Sequence, residues 1–324
     1  MGKGSLWKLI KGHKAGHILI VFVAIQIACI VAGVLFPKDF AYLDMSNVQT
    51  MLKSIPPLAI LSIGVGLLMI TGEFDLSVGS NFALTAFIMA AAFNMGIPVW
   101  IAAIMALAAG AVIGAVNGLI VTRGKIPSFI ATLGSMMFWR GIILIMSAGQ
   151  TEAFRPGAFF ENLMSGNIGP IQAQFIWLIL IAIISSLLLE RHRLGNHMFS
   201  VGGNKASAIA VGVNPDRVKM IAFTIVGTLA ALSGILSTAR VHSVSPDQGK
   251  GLELQAIAAC VIGGLSLMGG EGSILGIFLG AALLFTIQDV LLLLRAPGFY
   301  LEMFMGILIV LAVIFNRVTR KERE

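Results

Sequence analysis

The chain has 324 residues, of which 57% are hydrophobic and only 11% charged, with a formal net charge of +7 and a mean hydropathy of +0.95. A soluble domain carries about a quarter charged residues and leaves much of its surface wet. Composition therefore excludes a soluble enzyme, a disordered protein and a secreted disulfide scaffold, and makes lipid part of the solvent.

A membrane helix needs about 20 apolar residues. The first such run, 18–36, follows Lys3, Lys8, Lys11 and Lys14; it is too long for a signal-peptide core and reads as an anchor. The second covers 55–71. After the polar patch 72–77 there is no charge from Leu76 to Thr122, room for two spans with a turn at 94–98. The fifth span is 127–147. The stretch 148–174 is too polar to cross and reads as an extramembrane loop. The sixth span is 175–189, followed by a charged segment at 190–219. Spans seven to ten are 220–239, 254–268, 273–294 and 300–315, the eighth short and broken by glycine.

This is an all-α polytopic membrane protein of about ten transmembrane helices, a single domain over residues 1–324, with both termini on one side. Fifteen of the 22 Lys and Arg residues fall on the side of the termini and six on the other, with Arg140 inside span five. The positive-inside rule makes the termini cytoplasmic. The basic balance therefore reports topology and contact with anionic lipid, and no nucleic-acid partner is implied. Gly110, Gly114 and Gly118 in span four, and Gly272, Gly276 and Gly280 in span nine, recur at four-residue intervals. Such spacing lets helix backbones approach. Its recurrence five spans apart raises the expectation of two inverted repeats.

Polar groups near lipid need a partner or a wet cavity. Glu73 and Asp75 lie between spans two and three, where Asp75 suits capping of the next helix; the same groups could wall a translocation path. Glu253 and Gln255 open span eight, where the helix N-terminus favours a carboxylate. Arg140, Asp289 and Arg295 suit structural pairs or snorkelling. Cys29 and Cys260 sit in apolar runs and read as small buried hydrophobes. The five histidines receive no role, and no metal or cofactor site is expected. The Gly-Lys pairs are followed by Gly4, Ile126 and Gly251, never by Ser or Thr as a phosphate-binding loop requires, so the chain is not expected to hydrolyse ATP or act as an enzyme. In 190–219, Asn204 caps a short helix ended by Gly212, a docking knob for a partner or a helix lying on the bilayer.

Three motifs together resemble the ribose-type ABC sugar importer permeases: Asp75-Leu76-Ser77-Val78-Gly79-Ser80; Gly202-Gly203-Asn204-Lys205-Ala206-Ser207-Ala208 running on to Gly212-Val213-Asn214; and the stretch 251–273. The resemblance spans nearly the whole chain. It implies a bacterial cytoplasmic (inner) membrane protein that pairs with a second permease chain, identical or related. It also implies cytoplasmic ABC ATPase subunits, which dock on Gly202, Gly203, Asn204, Ala206, Ala208 and Gly212, and an external sugar-binding protein docking on loops 148–174 and 240–252. The expected pathway residues are Glu73, Asp75, Ser77, Asn81, Glu253 and Gln255. Glu73 departs from the family pattern, which has a small or apolar residue there. Rival readings are a branched-chain amino acid or nucleoside ABC permease, an ion-coupled secondary transporter and a structural scaffold. An ion-coupled carrier would place titratable groups mid-membrane, whereas the carboxylates here read as lying near span ends.

Overall fold

The computed structural model describes residues 16–169 and 171–321; Lys3, Lys8, Lys11, Lys14 and Arg323, which enter the charge count, lie outside them. The helices are α1 (Gly16–Leu35), α2 (Met45–Ile70), α3 (Val78–Asn94), α4 (Val99–Gly124), α5 (Ser128–Ser147), α6 (Ala158–Ser165), α7 (Ala173–Arg191), α8 (Arg193–Gly203), α9 (Lys205–Ala210), α10 (Pro215–Val241), α11 (Leu252–Ile262), α12 (Ile274–Leu293) and α13 (Gly298–Lys321). Among the described residues, seven of these (α1, α2, α4, α5, α7, α10 and α12) are long and apolar enough to cross a membrane; α3, α11 and the stretch Gly298–Leu308 are shorter apolar helices. The polytopic helical architecture is therefore present.

The clearest difference is at α11. Its 11 residues rise about 16 Å at 1.5 Å per residue, half of a hydrocarbon core. The apolar run 254–268 does not stay helical because Gly263, Gly264, Gly269 and Gly270 follow, the last three with φ of +88°, +80° and +74°. Conversely, α2 begins ten residues before its apolar run. Asp44 caps it by accepting from Ser46 N at 3.3 Å, and it continues through Pro56 and Pro57. Pro57 has no amide to bond the Lys53 carbonyl. Arg240 on α10 takes up that freed acceptor, donating from Nη1 to Lys53 O at 3.0 Å and to Ser54 Oγ at 2.9 Å. Likewise α10 starts five residues before its apolar run, with Pro215 in the first turn and Asn214 accepting from Arg217 N.

α10 and α2 are the central helices. α4 lies along α10, and α12 lies along α2; α3 contacts α4, α5 and α10, and α11 contacts α12, α13 and α2. At the α4–α10 contact the spacing of Gly110, Gly114 and Gly118 has a direct consequence. A Cβ on Gly114 would overlap the Phe223 carbonyl, and one on Gly110 would overlap Gly227 O and the Ala231 side chain.

The connections gather at two opposite ends of the bundle. One end holds the start of α5, helices α8 and α9, the start of α10 and the 263–273 turn. At the other, β1 (Glu152–Ala153) pairs antiparallel with β4 (Ser243–Val244), and β2 (Asn167–Ile168) with β3 (Ile171–Gln172). There α6, seated on α10, carries Phe160 against Trp100 and Phe154. The loop 148–174 is thus a folded cap.

Gly114→Ala is expected to lower the melting temperature of the detergent-solubilised protein, an overpacking cost of about 1–3 kcal/mol. Gly134→Ala on α5, where an added Cβ meets nothing within 4 Å, should be neutral or slightly stabilising. Equal shifts for the two would contradict the close α4–α10 approach.

Candidate functional site

The connection between α2 and α3 does not lie in solvent, as the sequence position of Asp75 suggests. Asp75 is 1% exposed and Ser77 fully buried. Asp75 Oδ1 accepts from Ser77 N at 2.8 Å and from Ser77 Oγ at 2.6 Å, and Oδ2 accepts from Asn117 Nδ2 at 3.2 Å. Asn117 Nδ2 also donates to Ser77 Oγ at 2.8 Å. Asn117 lies seven residues before the end of α4, so this cluster sits about 10 Å inside the bundle. The capping expectation holds in altered form: the carboxylate closes a turn over Ser77, the residue preceding α3, instead of reaching into the helix. The flanking amides are covered from α5, where Ser128 Oγ accepts from Phe74 N at 3.2 Å and Thr132 Oγ1 accepts from Leu76 N at 3.1 Å. Glu73 forms an ion pair with Lys219 at the start of α10, which gives the unusual carboxylate a structural partner.

Asn81, one turn further along, donates from Nδ2 to Gly227 O at 3.2 Å and to Gly110 O at 3.4 Å. It thereby joins α3, α4 and α10 at the point where glycine brings their backbones together.

Glu253 and Gln255 belong to a second irregular region. Between β4 and α11, residues 245–251 turn back into the bundle. Gly249 comes so close to α3 that a Cβ on Gly79 would overlap Gly249 O and the Glu253 carboxylate. The N-terminal ends of α3 and α11 therefore meet at Gly79, two residues from both Ser77 and Asn81. Glu253 Oε1 accepts from Gly251 N at 3.2 Å, and Gln255 Oε1 accepts from Gln288 Nε2 on α12 at 3.4 Å. So the fold joins Asp75 to Ser77, sets Asn81 one turn along the same face of α3 toward α4 and α10, and puts Glu253 against the opposite face of α3 at Gly79, with Gln255 toward α12 and Glu73 set apart at the start of α10. Among the described residues no group of three or more His, Cys, Asp or Glu could hold a metal ion.

The segment 190–219 also takes shape. Asn204 caps α9 by accepting from Ser207 N at 3.0 Å, and Gly212 follows with φ of +83°. Ala206 and Ile209 are exposed, but Ala208 is 1% exposed and faces inward. A bulky charge at Ala208 would therefore unseat α9 from its base, so it does not serve as a clean probe of docking. Gly202 and Gly203, at the end of α8, meet the protein backbone. A Cβ on Gly202 would overlap Ile70 O and Gly270 N, and one on Gly270 would overlap Gly203. Gly270 N donates to Ile70 O at 2.9 Å. This glycine junction joins α8 to the end of α2, just before Glu73 and Asp75, and to the turn after α11.

Residues 47–313 match the family model described as branched-chain amino acid transport system / permease component. The chain belongs to this permease family. The permease is 37% identical over 279 residues to the autoinducer 2 import system permease protein LsrC of Enterobacter sp. (strain 638), covering 86% of this chain and 80% of that one. It is 35% identical over 300 residues to the ribose import permease protein RbsC of Escherichia coli (strain K12), covering 91% and 92%. To LsrC of Yersinia enterocolitica it is 33% identical over 314 residues, covering 96% and 84%. No solved structure matches. The permease is a transport subunit, and catalysis is not its role.

Sequence reasoning missed Asn117, Ser128, Thr132 and Gln288. Asn117 carried a signal: it is the one amide between Gly114 and Gly118 in an uncharged stretch. In the permease, Asp75→Ala should cost about 1–3 kcal/mol, because it strips acceptors from buried Ser77 and Asn117 donors. Asp75→Asn, which keeps one oxygen over Ser77, should cost less. Thermal melting in detergent measures both; an unchanged melt for Asp75→Ala would contradict the buried network.

Proposed function

We propose that this permease forms the translocation pathway of an ATP-binding cassette importer for a monosaccharide or similar small polar sugar. The observation that carries this reading is the match over nearly the full length to a relative named for import of ribose, a pentose. The family description, which speaks of branched-chain amino acids, supplies the alternative.

In this reading both termini are cytoplasmic in a bacterial inner membrane and the chain makes ten crossings, α11 with its re-entrant approach counting as one. The end of the bundle bearing Arg123, Lys125, Arg193, Lys205, Arg217 and Lys219 faces the cytoplasm, as the positive-inside rule supports. Two inverted repeats are supported by the pairing of α4 on α10 with α12 on α2, and of α3–α4–α5 with α11–α12–α13. A second permease chain, identical or related, completes the pathway. Separate ATPase subunits hydrolyse ATP, and an external binding protein delivers the solute to the cap formed by 148–174 and 240–252.

Chemically, Ser77 and Asn81 on one face of α3, and Glu253 and Gln255 beyond its other face, offer hydroxyl, amide and carboxylate groups near the N-termini of α3 and α11. That set suits neutral polyols, because it can exchange hydrogen bonds one at a time and release the solute again. Asp75 holds the site's shape through Ser77 and Asn117. The α8–α9 segment receives the ATPase, and the glycine junction passes its movement to the 71–77 connection and to the turn after α11, a rigid-body shift between packings.

ATP-driven uptake by the permease reconstituted with its ATPase and binding protein tests the reading against a panel of pentoses, hexoses and branched-chain amino acids. Uptake of a sugar is expected. Uptake of leucine alone would select the amino-acid reading, and uptake driven by an imposed ion gradient without ATP would overturn both. Ala206→Glu and Ile209→Glu, on the free face of α9, are expected to abolish co-purification of the ATPase while leaving the permease melt unchanged.

A further inference from the structure

The two irregular segments lie at different depths, and α5 touches both. Toward its start, Ser128 and Thr132 accept from the amides of Phe74 and Leu76. In the middle, Ser80 Oγ on α3 donates to Met136 O at 2.9 Å. Further along, the half-buried Arg140 donates from Nη1 to Pro246 O at 2.6 Å and to Gln248 O at 3.0 Å. Thr132 and Arg140 are eight residues apart, about 12 Å along the helix.

The 245–251 segment has two other moorings. Gln248 Nε2 donates to Ser237 Oγ on α10 at 3.3 Å, and Gly249 touches Gly79 backbone to backbone. Neither carries charge. Glu253 and Asp247 are near enough to act electrostatically on the Arg140 guanidinium, yet among the described residues neither forms an ion pair with it; its hydrogen bonds go to carbonyl oxygens. An arginine held within an apolar helix is costly, and here it fixes the shape of a loop.

We propose that Arg140 is a positioning residue for transport: it pins the re-entrant segment 245–251 over Ser237 and makes α5 a strut that ties this segment to the 71–77 connection. Movement received at the glycine junction near Gly72 then reaches the Glu253 side through Thr132, α5 and Arg140. Only the coupling to uptake rests on the transport reading; the pinning does not.

The test uses Ser237→Cys, a near-isosteric change at a residue that is 7% exposed beneath Gln248. The natural Cys29 and Cys260 are both buried, so background labelling by a membrane-impermeant maleimide is low. With Arg140 present, the thiol introduced by Ser237→Cys should label slowly. When Arg140→Gln is added, that thiol should label about tenfold faster or more, since two hydrogen bonds from a charged donor are lost and reaction follows the open population. Arg140→Lys should fall between. In the assembled transporter, Arg140→Gln should reduce uptake at saturating solute while ATPase activity persists. Unchanged labelling in Arg140→Gln would overturn the pinning, whatever the solute proves to be. Faster labelling with normal uptake would overturn the strut. Failure of both Arg140 variants to yield a monodisperse protein would assign Arg140 to folding alone and overturn the proposal. A wild-type transporter that moves no sugar would overturn the sugar reading and leave the labelling result intact.

Discussion

Within a lipid-solvated bundle, every peptide group that leaves a helix must find its partner inside the protein. Three segments of this permease leave helical geometry under the cover of other helices, and polar side chains on neighbouring helices are placed to satisfy two of them. The amides of Phe74 and Leu76 reach Ser128 and Thr132. The carbonyls of Pro246 and Gln248 reach Arg140. Gly270 N reaches Ile70 O. The same rule explains Arg240, which covers a carbonyl that Pro57 leaves without its helical donor.

Glycine supplies the complementary half of the design. Gly79 against Gly249, Gly202 against Ile70, and Gly114 against Phe223 are contacts of backbone on backbone. They leave no side chain to deform, so each contact is rigid in shape. Asn81 spans the α4–α10 contact by donating to Gly110 O and Gly227 O, and Gly270 N bonds Ile70 O at the α8 junction, so hydrogen bonds fix the register of both. A contact of fixed shape and register moves as one piece, which suits a subunit that changes packing as a rigid body. The Gly202–Gly270 junction has this character, with the single bond from Gly270 N to Ile70 O as its register pin.

What was legible in the sequence follows the range of the interaction. The α9 knob was readable because its cap and stop, Asn204 and Gly212, are local. The α3–α4 turn was readable for the same reason. Helix starts in polar sequence were not: α2 and α10 begin before their apolar runs, at the caps Asp44 and Asn214, and the carbonyl that Pro57 frees in α2 is covered by Arg240, 187 positions from Lys53. The burial of Asp75 depends on Asn117, 42 positions away, and the position of Arg140 on a contact 106 positions away. Hydropathy marks 254–268 as one span, but glycine-rich turns end α11 after Ile262, because a run of apolar residues says nothing about where a backbone must bend. Ala208 reads as a free face of a short helix; only the fold shows which side of that helix is down.

The intramembrane carboxylates bear on how the permease is driven. Asp75 bonds only Ser77 and Asn117; Asp289 accepts from Asn47 at 3.0 Å beside a network of Gln26, Tyr42 and Thr286; Glu253 accepts from the backbone of Gly251. Glu73 pairs with Lys219, and Glu161 lies 3.4 Å from His242 Nε2, both near bundle ends. A proton or cation relay needs titratable groups in succession. Asp75 and Asp289 are each held by neutral amides or hydroxyls, whereas Glu253 and Asp247 lie within electrostatic reach of Arg140. In the proposed reading the work of moving the helices enters from outside the membrane, through the glycine-seated α8–α9 segment.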